Sequence, residues 1–217
     1  MKMKETSPFV ITISRQKGSG GAYLGKRLAS RLNVLYLDRE IVSQAAKELK
    51  TPVESLETRD EKLTPFWRSL LESYAYITPT PYVPPPLHMP TDRELYSTES
   101  NIITRIAQQR SAVIVGRGGY YVLRQHPRLL SVLLHADIAF RQKRVQGLYS
   151  MSAEESQKLI KSIDKEREHY LRVLTGQNCM DARQYHLSID TSVMGFEEAE
   201  EIILVAFRAR FGDIKPA

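Results

Sequence analysis

Residues 9–32 read FVITISRQKGSGGAYLGKRLASRL, and the rest of the chain is arranged around them. Residues 9–13 are apolar or β-branched, the pattern of a short buried strand. A polar, glycine-rich loop follows over residues 14–21. Leu24, Leu28 and Leu32 then recur every four residues with Lys26, Arg27 and Arg31 between them, which predicts an amphipathic helix. Strand, glycine loop and helix form the arrangement in which a loop wraps a phosphate. Glycines let backbone N–H groups turn inward, and the helix N-terminus adds the positive end of its dipole.

The standard phosphate-binding loop reads G-x-x-x-x-G-K-[ST]. With Gly20 as the second glycine, Arg15 stands at the first, Gly21 at the lysine and Ala22 at the Ser/Thr. The glycines keep a cradle. The fixed cation and the hydroxyl that meets Mg²⁺ have lost their usual sources. Lys17, with Arg15 as second candidate, is the basic residue placed to stand in for the lysine. The competing reading is a glycine-rich turn with two solvated charges. Ser19 carries a hydroxyl that could meet Mg²⁺, but its place in the loop argues against that, and Ser14 is a weak alternative.

The 217 residues suit one domain with an insertion or a small lid. Hydrophobic residues make up 42% and charged residues 26%, an ordinary globular balance. The net charge of +6 suits a polyanionic ligand, nucleotide or nucleic acid, and no run of like charge marks a basic tail. Cys179 is the single cysteine, which excludes an internal disulfide and points to a reducing cytoplasm. His88, His126, His135, His169 and His186 show no metal-ligand spacing, so no metal site is expected. No signal peptide is expected after Lys2 and Lys4, and no stretch approaches the roughly 18 apolar residues of a membrane span.

Further along, residues 34–37 read as a second strand, with Asp38 capping a helix over 39–49. Residues 51–54 look like a capping box before a short helix. Residues 59–96 form an insertion, first aromatic and helix-compatible. Then come Pro79, Pro81, Pro84, Pro85, Pro86 and Pro90, which exclude a long helix or central strand. A substrate flap, a homodimer contact or a proline-rich docking ligand are the readings for it. Ser97 caps a helix to about residue 110, residues 112–115 make a third strand, and Gly116-Arg117-Gly118-Gly119 follow as a second glycine turn. Residues 129–134 form a fourth strand. Asp137 caps a helix that Gly147 stops, and Ser152 with Glu155 caps a long helix ending before Gly176. Residues 185–189 form a fifth strand, and a last helix runs over 196–210. Strands alternating with helices predict an α/β domain with a parallel sheet, whose ligands sit at the carboxyl ends of the strands.

These segments together resemble the cytidylate kinase-like family of P-loop nucleoside monophosphate kinases. The carrying residues are ITISRQKGSGG with LGKRLA (11–29), YLDREI (36–41), VIVGRGG (113–119), AFRQKR (139–144), DKEREHY (164–170) and SIDTS (188–192). The resemblance implies one domain over 1–217, a P-loop kinase-like three-layer sandwich. Its five-stranded parallel sheet has order 2-3-1-4-5, with a helical insertion and a lid at about 141–175. It implies ATP and Mg²⁺, with CMP or dCMP as first acceptor. Two positions depart from true cytidylate kinases: Gly21 stands for lysine, and Gly118 for an aspartate that helps recognise the cytosine nucleotide.

Roles follow from phosphoryl transfer, which needs positioning and charge neutralisation. Gly18, Ser19, Gly20, Gly21 and Ala22 form the donor-phosphate site. Lys17, Arg15, Arg141, Arg144 and Asp38 are the catalytic candidates. Asp38 would orient an acceptor hydroxyl or a metal-bound water, or simply cap its helix. Arg141 and Arg144, three apart, would share a helix face as lid arginines, or would only be solvated. Arg39, Gly116, Arg117, Asp164 and Arg167 are assigned to the acceptor, the arginines because their planar fork suits phosphate. A non-catalytic nucleotide-binding sensor or partner protein is the rival reading, motivated by the altered loop. A nucleic-acid binder rests on charge alone.

Overall fold

The computed structural model describes residues 7–38 and 92–212. Five strands, β1 (Val10–Arg15), β2 (Leu35–Leu37), β3 (Ala112–Val115), β4 (Leu129–His135) and β5 (Leu187–Asp190), form one sheet of order β2-β3-β1-β4-β5. All neighbouring strands are parallel, as the resemblance implies. Around them run α1 (Gly21–Arg31), α2 (Asp92–Gln109), α3 (Gly119–Val122), α4 (Ile138–Tyr149), α5 (Ala153–Thr175), α6 (Thr191–Met194) and α7 (Phe196–Phe211).

A parallel sheet needs cover on both faces, and the strands are apolar on both sides accordingly. Ile11, Ile13, Val113, Val115, Leu130 and Val132 pack with Leu24 and Leu28 of α1 and Ile203 and Phe207 of α7. Val10, Ala112, Ile114 and Leu129 turn the other way, onto Ile102, Ile103 and Ile106 of α2. Each such side chain, fully buried, contributes roughly 1.5–3 kcal/mol. The register sets Ile13 beside Val115 and Arg15 beside Leu134. The loops after β1, β3 and β4 therefore open at one edge.

Several boundaries differ from the sequence expectation. The helix expected to start at Ser97 begins at Asp92, inside the expected insertion. No glycine or proline lies between Pro90 and Ser97 to stop it. Gly147 does not end α4. A lone glycine costs a helix only about 1 kcal/mol, and the stop comes at Ser150 in the left-handed conformation, φ 53°. The short α3 was not anticipated. The Asp137 cap, the Ser152–Glu155 capping box and the Gly176 stop lie where the sequence puts them. The helices expected over 39–49 and 52–57, and the insertion through residue 91, lie outside the described residues. Among the described residues no helix is long and apolar enough to cross a membrane.

Candidate active site

The loop after β1 is built from what its neighbours leave room for. Gly18 and Gly20 hold φ of 90° and 87°, a region L side chains rarely adopt. A Cβ on Gly18 would stand 2.9 Å from Cβ of Arg141, and one on Gly20 would stand 2.3 Å from Cε1 of Phe196. Side chains also pin the loop from below. The Gln16 amide oxygen accepts from Ala136 N–H (3.1 Å), and the Thr191 hydroxyl donates to the carbonyls of Ser19 (3.1 Å) or His135 (3.2 Å). The fully buried Ser19 hydroxyl donates to the Gln16 carbonyl (2.9 Å), with that of Leu134 at 3.2 Å. Ser19 is thus engaged within the loop and does not face a metal. Gly20 offers α1 no side-chain cap, an arrangement that leaves the N–H groups of the first turn open to an anion. They border a cavity of about 130 Å³ lined also by Arg15, Lys17, Ala22, Arg144 and Arg167.

The lid candidates on α4 and α5 divide into braces and wall. Asp164 accepts from the Lys17 backbone N–H (2.7 Å) and from Arg141 Nη1 (2.6 Å). Arg141, only 7% exposed, also donates from Nε to the Ala136 carbonyl at 3.0 Å. Both residues, assigned from sequence to the transfer and to the acceptor, clamp the loop to the helices here. Arg144 does not share the setting of Arg141. Its guanidinium lies 4.4 Å from the Phe196 ring centroid and 5.6 Å from that of Tyr23, and desolvation lowers its pKa. Lys17 Nζ donates to the Tyr149 hydroxyl at 2.7 Å, and both residues line the same cavity as the loop glycines. Arg167 donates from Nη1 to the Arg15 carbonyl at 3.2 Å.

A second cavity, about 320 Å³, opens between the ends of β1 and β3 and helix α5. Its walls include Ser14, Arg15, Gly116, Arg117, Gly118, Arg167, Tyr170, Leu171 and Cys179. Arg117, one of its walls, is paired with an acid. Its Nε donates to Glu99 Oε2 at 2.7 Å, its Nη2 meets the same oxygen, and its guanidinium lies 4.8 Å from the Tyr170 ring centroid. The Tyr170 hydroxyl joins at 3.2 Å. The Glu99 side chain is 1% exposed and that of Arg117 9%. Burial raises the pKa of Tyr170 and of the Cys179 thiol, and pushes Tyr120 behind them up to about 12. Asp38 follows β2, half-buried, next to β3 in the sheet. Arg39 lies outside the described residues.

Glu99 and Thr191 were not singled out from sequence. Glu99 carried a signal: it stands three, four and seven residues before Ile102, Ile103 and Ile106, a charge on an apolar stripe. Thr191 carried none beyond its place after β5.

The sequence pattern of the cytidylate kinase-like family matches residues 10–193. The chain belongs to that family. Among solved structures it is similar to an uncharacterized protein from Eubacterium ventriosum, at TM-score 0.70 and 21% identity over 93% of this chain and 99% of that one. A gluconokinase from Sinorhizobium meliloti aligns at TM-score 0.50 and 14% identity over 93% of each chain. A shikimate kinase from Bacteroides thetaiotaomicron aligns at 0.48 and 14%, over 93% of this chain and 97% of that one. At such identities the likeness is one of fold. No curated protein matches. In this cytidylate kinase-like chain the altered loop positions, Arg15, Gly21 and Ala22, all border the smaller cavity.

Proposed function

We propose that the protein is an ATP-dependent phosphotransferase of the nucleoside monophosphate kinase type. The observation that carries this reading is that the two cavities share two walls, Arg15 and Arg167. The smaller cavity, at the glycine loop and the α1 N-terminus, takes the donor phosphates. The larger takes the acceptor. An acceptor oxygen bonds to the γ-phosphorus as the bond to the β,γ-bridging oxygen breaks, and ADP leaves with that electron pair. A hydroxyl acceptor also gives up its proton, whereas a phosphate acceptor need not. Arginines at the boundary spread the charge that develops between them.

The loop fits phosphates better than it fits a metal. Ala22 has no hydroxyl, and that of Ser19 is engaged. Mg²⁺, which neutralises phosphate charge, would be held by the nucleotide and by water rather than by this loop. On the acceptor side, CMP or dCMP is the first substrate to try. Leu171 weighs against a cytosine-reading carboxylate, because its Cδ2 stands 3.0 Å from where a Cβ on Gly118 would lie.

The test mixes purified protein, ATP, Mg²⁺ and a panel of nucleoside monophosphates, with gluconate and shikimate added, and resolves products by ion exchange. A nucleoside diphosphate that scales with enzyme is the expected result. ATP binding by calorimetry with no product on any acceptor would replace this reading with the non-catalytic nucleotide-binding one.

A further inference from the structure

We propose that Arg15 supplies the cation missing from the phosphate loop at position 21, and that Gly21 is glycine because the Arg15 stem fills the space of its Cβ. The proposal rests on the phosphotransferase reading above and names the residue that makes its loop competent.

In the standard loop the lysine follows the last glycine, opens the helix and reaches the β- and γ-phosphates. Here that position, Gly21, has no side chain, and the space where one would start is taken. A Cβ on Gly21 would stand 2.6 Å from Arg15 Cγ and 2.8 Å from its Cβ. Those are stem atoms, rooted in β1, where Arg15 lies opposite Leu134. They cannot swing aside as a side-chain tip does. At its far end the same side chain reaches the β3 turn. A Cβ on Gly116 would stand 1.9 Å from Arg15 Nη1 and 2.7 Å from Cζ.

Arg15 therefore begins beside the start of α1 and ends over Gly116, bordering the donor cavity and the acceptor cavity alike. The charge has moved from the first residue of the helix to the last residue of the strand. Its planar fork can meet two phosphate oxygens where an ammonium meets them as a point charge. The exchange is reciprocal, since either Arg15 or a residue-21 side chain can occupy this space.

Calorimetry with ATP, melting by circular dichroism and turnover on the best acceptor test it on wild type and four variants. Arg15 is changed to glycine, because Arg15→Ala would keep the Cβ that a residue-21 Cβ meets at 2.8 Å. Arg15→Gly should keep its melting transition, lose ATP affinity by about tenfold or more and turnover by roughly 100-fold. Arg15→Gly with Gly21→Lys rebuilds the standard loop and should recover most of both losses. Gly21→Ala should weaken ATP binding when Arg15 is present, through its clash with the stem, and change little in the Arg15→Gly background. Should Arg15→Gly melt early, its combination with Gly21→Lys decides. Unchanged ATP affinity in a folded Arg15→Gly protein overturns the proposal, as does a double variant with Gly21→Lys no better than Arg15→Gly. Wild-type protein that binds no ATP overturns the functional reading too, so the two failures are told apart.

Discussion

The turns after β1 and β3 resemble each other in sequence and differ in what holds their arginines. Each follows a buried strand and is rich in glycine, and an arginine stands at each, Arg15 as the last residue of β1 and Arg117 within the turn after β3. Arg117 is bound to Glu99, a carboxylate that α2 brings beneath the turn, and Tyr170 covers the pair. Arg15 instead lies over two glycines and borders both cavities. A glycine turn alone therefore does not fix where its arginine goes; the elements packed against it do.

The largest effect should come from breaking the Arg117 side. Truncating one partner of a buried ion pair leaves the other charge uncompensated and costs about 3–5 kcal/mol. Arg117→Ala should therefore lower the urea midpoint sharply, and adding Glu99→Gln should recover a good part of that loss by removing the orphaned charge. Arg15→Ala should move the midpoint little and turnover much. If Arg117→Ala instead kept its midpoint and lost turnover, the two turns would have to exchange roles.

A second, smaller effect concerns how the β1 turn is held. Asp164 receives both the Lys17 N–H and the Arg141 guanidinium. Asp164→Ala leaves those buried donors without that acceptor, at a cost of roughly 1–3 kcal/mol. It should weaken ATP binding through a loosened loop, while the acceptor's KM changes less. Equal losses on donor and acceptor sides would show that Asp164 serves the transfer point itself.

Sequence pattern reached the sheet order and the strand, loop and helix around Gly20, because periodicity and glycine spacing are local. It reached Arg15 and Gly21 as two separate departures from a motif. It missed that they are one exchange, because that depends on a stem and a missing Cβ meeting across a turn. The contacts that Arg117, Arg141 and Asp164 make were not legible for another reason. Each is set by a partner distant in sequence, Glu99 for Arg117 and Lys17 for Asp164 and Arg141. Charge alone does not say whether such a partner exists. The one clue on the page was Glu99 itself, a charge in the apolar stripe of α2.

The smallest effect falls on Lys17, and it sharpens the comparison most finely because Lys17 and Arg15 share the β1 turn. Lys17 Nζ sits on Tyr149, hydrogen-bonded to its hydroxyl and 4.4 Å from the ring centroid. An exposed contact of this kind contributes roughly 0.5–1 kcal/mol, less than about sixfold in an equilibrium. Tyr149→Phe should change ATP affinity by less than Lys17→Met, and Lys17→Met by far less than Arg15→Ala. What Lys17 gives the donor is then long-range charge, which salt screens. The deficit of Lys17→Met should shrink between low and high ionic strength, and that of Arg15→Ala should persist, because a cation in contact with phosphate is screened much less. Equal salt sensitivity in the two variants would place both cations at the same distance from the phosphates and remove the distinction between them.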